Sequence, residues 1–232
     1  MKVLCFGKTH DIENKINKLN VVEKDPDVIF CFGGDGTFLK AIHKYGLNYK
    51  YLFINRGHLG FLSNIDYDNF NLEKIDWDVC EYPVMELNNN EEKHLIINEC
   101  RIINLEQMIK VKIKINDEEI FLKASGLDLV TGIGSTGCSI AHGGIILNPK
   151  EEFFSLNPIF SLNNHLEKNI NNPLLLNYND NIKITILSDF YVYIDGKKID
   201  FKNKEFEIKM KKIKIVNSPF KKYYSHLIKK MY

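Results

Sequence analysis

The sequence predicts an α/β N-terminal domain followed by a second, mostly antiparallel, all-β domain. Three observations predict it. Apolar strand runs alternate with helical periodicity from residue 3 to about 75, a two-residue apolar period takes over after Trp77, and a glycine-rich turn, Gly33-Gly34-Asp35-Gly36-Thr37, closes one of the early strands. A chain of 232 residues is long enough for two modest domains. The first is expected over residues 1–82 with about 212–232 returning to it, and the second over 83–211, with Pro83 and the change of texture marking the border.

The first domain is read from five segments. Val3 to Phe6 forms a strand, and Ile12, Ile16 and Leu19 recur at helical spacing. Val28-Ile29-Phe30-Cys31-Phe32 is a fully apolar run, as in a strand buried on both faces. Phe38 to Tyr45 is the next helix, with Thr37 as its N-cap and Gly46 as its stop, and Tyr51-Leu52-Phe53-Ile54 is a third strand. This order gives a Rossmann-like parallel sheet. Crevice ligands of such sheets sit at the carboxyl ends of strands, where both Gly33 to Thr37 and the turn after Ile54 fall.

In the second domain His94 to Ile97, Val111 to Ile115, Ile182 to Ile186 and Tyr191 to Ile194 alternate as half-buried strands. Asn88-Asn89-Asn90, Asn116-Asp117 and Asp195-Gly196 supply the turns. The tail from Tyr223 to Lys230 reads as a short helix that packs back on the first domain.

A net charge of +1 and an apolar fraction of 44% leave no global field for nucleic acid or an anionic membrane, so any anion site must be local. The lysines between 209 and 214 and those of the tail read as a solvated face. The apolar stretches fall short of a bilayer span, and Met1 to Gly7 reads as a first strand, not a signal peptide, so a cytoplasmic protein is expected. Five scattered cysteines without a CxxC pair suggest neither a zinc site nor a disulfide framework.

The Gly33 to Thr37 turn has a chemistry of its own. Glycines let a ligand approach the backbone, and the helix start supplies unpaired N–H donors for a polyphosphate. A bare Asp35 carboxylate there repels phosphate unless a metal ion screens it or it takes a proton from a substrate hydroxyl. The plain alternative is a tight strand-to-helix turn. A second small-residue segment runs from Thr131-Gly132-Ile133-Gly134-Ser135-Thr136-Gly137-Cys138-Ser139 to Ala141-His142-Gly143-Gly144. Its hydroxyls and amides suit ribose and phosphate, where a flexible linker is the alternative.

Together these residues resemble the NAD kinase family, the ATP-NAD or polyphosphate-NAD kinases. Gly33 to Thr37 matches the family's GGDGT, Asn55-Arg56-Gly57-His58-Leu59-Gly60-Phe61-Leu62 its N-x-G-x-L-G-F-L, and Asn98-Glu99 its N-E pair. Gly134-Ser135-Thr136 through Gly143-Gly144 matches its GST…GG loop, and Asp195-Gly196 its late D-G turn, all in order. The resemblance implies transfer of a terminal phosphoryl group from ATP or polyphosphate, with Mg²⁺ carried mainly by the phosphates, to the adenosine 2′-hydroxyl of NAD. It also implies a homodimer or homotetramer, with the nucleotide held between the two domains.

By the same resemblance Asp35 is the catalytic residue, and Gly33, Gly34, Gly36, Thr37 and Lys123 face the donor phosphates. On the NAD side stand Gly36, His58, Phe61, Asn98, Glu99, Ser125, Ser135, Thr136, Gly137, Cys138, Ala141, Phe160 and Asp195. Glu99 accepts from ribose hydroxyls, and Phe61 either packs near the adenine or belongs to the core. Three departures from the family pattern stand out: Ala124-Ser125-Gly126-Leu127 puts a hydroxyl where the family carries a carboxylate, Cys138 replaces a tyrosine, and Gly132 replaces a proline. Kinases acting on lipids or sugars use related GGDG loops, and a non-catalytic nucleotide-binding regulator is a further alternative.

Overall fold

A computed structural model describes every residue except 59, 90, 91, 162–168 and 232, so Leu59 of the second motif and Asn90 of the first turn lie outside the described residues. The chain forms two compact units, Met1–Tyr82 with Lys212–Tyr232, and Pro83–Lys211. Among the described residues no helix is long and apolar enough to cross a membrane.

The first unit is built on a parallel sheet. The Lys2–Gly7 strand pairs with Asn20–Val21 on one side and Val28–Gly33 on the other. Val28–Gly33 pairs in turn with Lys50–Asn55, which takes Lys214 and Ile215 at its start and Ile65–Asp66 at its end. Every residue of Val28–Gly33 is buried, as its unbroken apolar run requires. On one face Val3, Phe30, Phe32, Leu52 and Ile54 pack with Ile12, Ile16, Phe70 and Ile75. Elsewhere in the unit Phe38 of the Asp35–Tyr45 helix stacks on Phe53 with ring centroids 4.6 Å apart.

Two local expectations are corrected. The helix expected from Phe38 starts at Asp35, with Gly34 as N-cap and no side-chain cap. Thr37 therefore lies inside the first turn, where its side chain fills the space over Gly33. The apolar spacing from Ile12 to Leu19 yields a single helical turn, Glu13–Ile16, because the chain extends again at Asn20–Val21 to pair with Lys2 and Val3.

The second unit is built on antiparallel pairings. Its strands run in the spatial order Lys197–Ile199, Tyr191–Ile194, Glu99–Ile103, Glu118–Thr131, Ile109–Ile115, Ile182–Ile186 and then the first part of Glu205–Val216. The Glu118–Thr131 strand serves two neighbours in succession, pairing residues 118–124 with Ile109–Ile115 and residues 126–130 with Glu99–Ile103. Phe153–Ser161 lies along its second half and carries Leu174–Asn177 beyond. Alternate residues point into a core containing Ile102, Val111, Ile113, Leu127, Leu129, Leu156, Ile184 and Val192. Asn116 and Asp195 adopt the left-handed conformation, as tight hairpin turns require. The tail forms the Tyr223–Met231 helix.

Candidate active site

In the first unit the carboxyl ends of two adjacent strands are tied together. The Gly33 carbonyl accepts from the Arg56 N–H at 2.9 Å. The backbones of the two turns also come close, since a Cβ on Gly57 would lie 3.1 Å from the Gly34 Cα. Asn55 shapes the second turn, its Oδ1 accepting from the Gly57 N–H at 2.9 Å while its Nδ2 donates to the Gly57 carbonyl and to Asp66 Oδ1. Gly60 then bends with φ 56° against the Asn55 side chain, a position where both the angle and the space require glycine.

That bend aims two N–H groups at one carboxylate. Phe61 N–H donates to Asp35 Oδ2 and Leu62 N–H to Asp35 Oδ1, each at 3.0 Å. Asp35 is the first residue of its helix, so the carboxylate plane is fixed at the helix start by donors from the other turn. Gly36 next to it is exposed, and a Cβ there would meet nothing within 4 Å. An open cleft of about 540 Å³ lies beside the turns, lined by Asn55 to His58 and Asp66 to Asn69. Arg56 forms part of its wall, stacked 3.9 Å over the Tyr67 ring and donating to the Lys8 and His10 carbonyls.

The second unit gathers its own set around Asn98 and Glu99. The Asp195 carboxylate accepts from the N–H groups of Ile97, Asn98 and Glu99 at 3.1, 2.7 and 3.2 Å. From the other side the Thr131 hydroxyl donates to the Ile97 carbonyl, and its N–H to the Asn98 carbonyl at 2.9 Å. Gly134 lies so close to the Asn98 backbone that no side chain fits there. The glycine-rich loop is thus a packed turn on the Asn98-Glu99 pair. Burial pushes the Glu99 carboxyl up to about 7, Asp195 and Asp128 add to the rise, and Arg101 opposes it.

Next to Glu99 lies an ionic cluster that sequence reading missed. Asp128, 0% exposed, receives Arg101 Nε and Nη2 at 2.8 and 2.9 Å. His142 Nε2 lies 3.0 Å from Asp128 Oδ2 and 3.2 Å from Arg101 Nη2, so the imidazole sits against both members of the pair. Arg101 Nη1 is 3.8 Å from the Cys138 sulfur. The available signal was Arg101 between Cys100 and Ile102 and Asp128 between Leu127 and Leu129, a lone charge between apolar neighbours in each case.

The ATP-NAD kinase C-terminal domain family matches residues 97–226. An NAD kinase from Lactobacillus acidophilus is 31% identical over 208 residues, 81% of this chain and 77% of that protein. NAD kinase 1 of Bacillus subtilis is 32% identical over 193 residues, 75% of this chain and 71% of that protein. The chain belongs to the NAD kinase family. The fold of this NAD kinase family member also matches two solved structures. An Archaeoglobus fulgidus NAD kinase in complex with ATP superposes with TM-score 0.80 at 22% identity over 98% of this chain and 99% of that one. Yeast NADH kinase complexed with NADH gives 0.76 at 18% over 100% and 87%.

Within this NAD kinase family member the expected residues fall into groups. Gly33, Gly34, Asp35, Gly36 and Thr37 come together with Phe61, and exposed His58 lines the cleft. Phe61 is half-buried, its ring 6.2 Å from Phe220 and 5.0 Å from His226. Asn98 and Glu99 donate their backbone N–H groups to the Asp195 carboxylate, Thr136 is half-buried, and Gly137, Cys138 and Ala141 are exposed. Ser135 differs from the expectation of a ligand-facing hydroxyl. It is fully buried, donating to the Gly132 carbonyl and accepting from the Leu147 N–H, both at 2.9 Å. Lys123 and Ser125 sit half-buried on the Glu118–Thr131 strand, the Lys123 backbone bonded to the Asn169 side chain. Phe160 is 76% exposed with φ 47°, an unusual angle for a bulky residue. Among the described residues no group of three or more His, Cys, Asp or Glu side chains is placed to hold a metal ion.

Proposed function

We propose that this protein is an NAD kinase, transferring the terminal phosphoryl group of ATP, or of polyphosphate, to the adenosine 2′-hydroxyl of NAD to give NADP. The observation that carries the reading is the Asp35 carboxylate, held by the Phe61 and Leu62 N–H groups at a glycine-rich helix start in a chain of this family.

Each carboxylate oxygen has two acceptor directions, and the backbone uses one on each. Asp35 therefore keeps acceptor capacity for a substrate hydroxyl while its plane cannot turn. In the step, the 2′-oxygen bonds to the terminal phosphorus, the bond to the bridging oxygen breaks, and the hydroxyl proton passes to Asp35. Such a transfer depends on in-line placement and charge neutralisation more than on covalent chemistry from the protein. Mg²⁺ supplies neutralisation when bound with the donor. Asp35 is the one carboxylate of the Gly33 to Thr37 turn, too few for an all-protein cation cage, which fits a cation carried by the phosphates.

Gly33, Gly34 and Gly36 offer backbone N–H groups to the donor phosphates, Thr37 stands beside them, and Lys123 adds positive charge. Asn98 and Glu99 take the adenosine ribose, with Asp195 holding their backbone in place. Ser125, Thr136, Gly137, Cys138, Ala141 and Phe160 complete the dinucleotide contacts. A cytoplasmic homodimer or homotetramer is the form proposed for the enzyme.

The test is NADP formation by wild type and Asp35→Asn, with ATP and polyphosphate as donors and NAD, a lipid and fructose 6-phosphate as acceptors. Loss of a positioned acid-base group predicts a fall of about 10²–10⁴-fold in the variant. Equal rates remove Asp35 from the mechanism, and phosphorylation of another acceptor but not NAD overturns the function.

A further inference from the structure

His226 sits on the Tyr223–Met231 helix, 165 residues after the turn it touches, and is 8% exposed. Its Nε2 lies 2.7 Å from the Phe61 carbonyl oxygen. A carbonyl can only accept, so Nε2 carries the hydrogen and donates. The Phe61 carbonyl and the Leu62 N–H belong to one peptide plane, which is rigid. That same Leu62 N–H donates to Asp35 Oδ1 at 3.0 Å. The ring is also packed edge-on against Phe61 and Phe220, at 5.0 and 6.0 Å.

We propose that His226 is a positioning residue for Asp35, acting through the Phe61–Leu62 peptide plane. This rests on the reading of Asp35 as the residue that takes the 2′-hydroxyl proton. A donor on the far side of the peptide fixes the tilt of its N–H and polarises it, so the two hydrogen bonds strengthen each other. The turn itself is short and bent at Gly60, with Asn55 holding its beginning and Ser63 bonded to the Gly60 and Phe53 carbonyls at its end. Between them, His226 holds the Phe61–Leu62 peptide itself.

The test separates the reach of the donor from the mere filling of space. A glutamine carboxamide extends to about where Nε2 stands, whereas an asparagine ends near Nδ1. His226→Gln is expected to keep at least about a third of the wild-type kcat. His226→Asn and His226→Ala should lose about tenfold, the size of one net hydrogen bond, with KM for NAD and ATP within about twofold of wild type. Thermal unfolding of all three is measured alongside.

If Gln and Asn lose activity equally, or in proportion to lost stability, His226 only packs the helix and the proposal is overturned. Long-range ¹H–¹⁵N correlation on histidine-labelled wild type gives a readout that needs no active variant, the His226 signals being assigned by their absence from His226→Gln. The Nε2–H form supports the proposal, and the Nδ1–H tautomer overturns it. Equal NADP formation by wild type and Asp35→Asn would instead overturn the reading of Asp35, a separate result.

Discussion

Arg101 grips Asp128 with two nearly parallel hydrogen bonds, Nε to Oδ1 at 2.8 Å and Nη2 to Oδ2 at 2.9 Å, across the Glu99–Ile103 and Glu118–Thr131 strands. The pair stands opposite in register, and His142 brings the Cys138–His142 turn onto the same carboxylate. Three segments of the second unit thus converge on one fully buried charge.

Removing one partner of such a pair leaves the other charge buried and unmatched. Asp128→Ala and Arg101→Met are each expected to lower unfolding stability by about 3–5 kcal/mol. An apolar pair, Arg101→Met with Asp128→Leu, removes both charges and should recover much of that loss. Urea unfolding of the three variants checks it, and single variants within about 1 kcal/mol of wild type would show that the pair contributes little.

Glu99 gives a pH-dependent prediction. Burial, reinforced by Asp195 and Asp128, raises its carboxyl from 4.5 to about 7. Between those values the folded chain holds a proton that the unfolded chain has released, so the unfolding free energy falls as pH rises through the window. Glu99→Gln cannot titrate and lacks this slope. Its stability relative to wild type should therefore grow from about pH 4.5 to about pH 7 and then level off. Urea midpoints of both proteins across that range are the measurement, and parallel curves would place the titration elsewhere.

The parts of the fold most legible in the sequence are those that obey one period. Ile182–Ile186 and Tyr191–Ile194 match their apolar alternation end to end, because each has one face on the core and one in solvent. Glu118–Thr131 escaped the reading because its pairing changes neighbour at Ala124-Ser125-Gly126, where alternation is interrupted. Phe153–Ser161 was missed too, its apolar run being broken by Ser155, Asn157 and Pro158 although all three are buried. At the site, the Gly33 and Asn55 turns could be placed together because adjacent parallel strands bring their carboxyl ends side by side. No local pattern announces that Asp195 spends its carboxylate on the Ile97 to Glu99 backbone, or that His226 reaches Phe61. Those contacts join segments separated by 97 and 165 residues.

Gly36 offers the sharpest separation of stability from function. It lies in the first turn of the Asp35–Tyr45 helix, has open space where a Cβ would stand, and is not in the left-handed region. Nothing in the folded chain therefore demands glycine there, and Gly36→Ala should stabilise the protein by about 0.5–1 kcal/mol through lost unfolded-state freedom. If donor phosphates approach the Gly33 to Thr37 backbone, the added methyl group stands in their path, and NADP formation falls while the melting temperature rises. Gly46→Ala is the control. Its φ of 78° makes alanine strained although the surrounding space is open, so it should lose stability and keep its activity per folded molecule. Thermal unfolding and steady-state rates on both variants decide the matter, and a stabilised Gly36→Ala enzyme with undiminished kcat and KM for ATP would show that the phosphates do not pass that face of the turn.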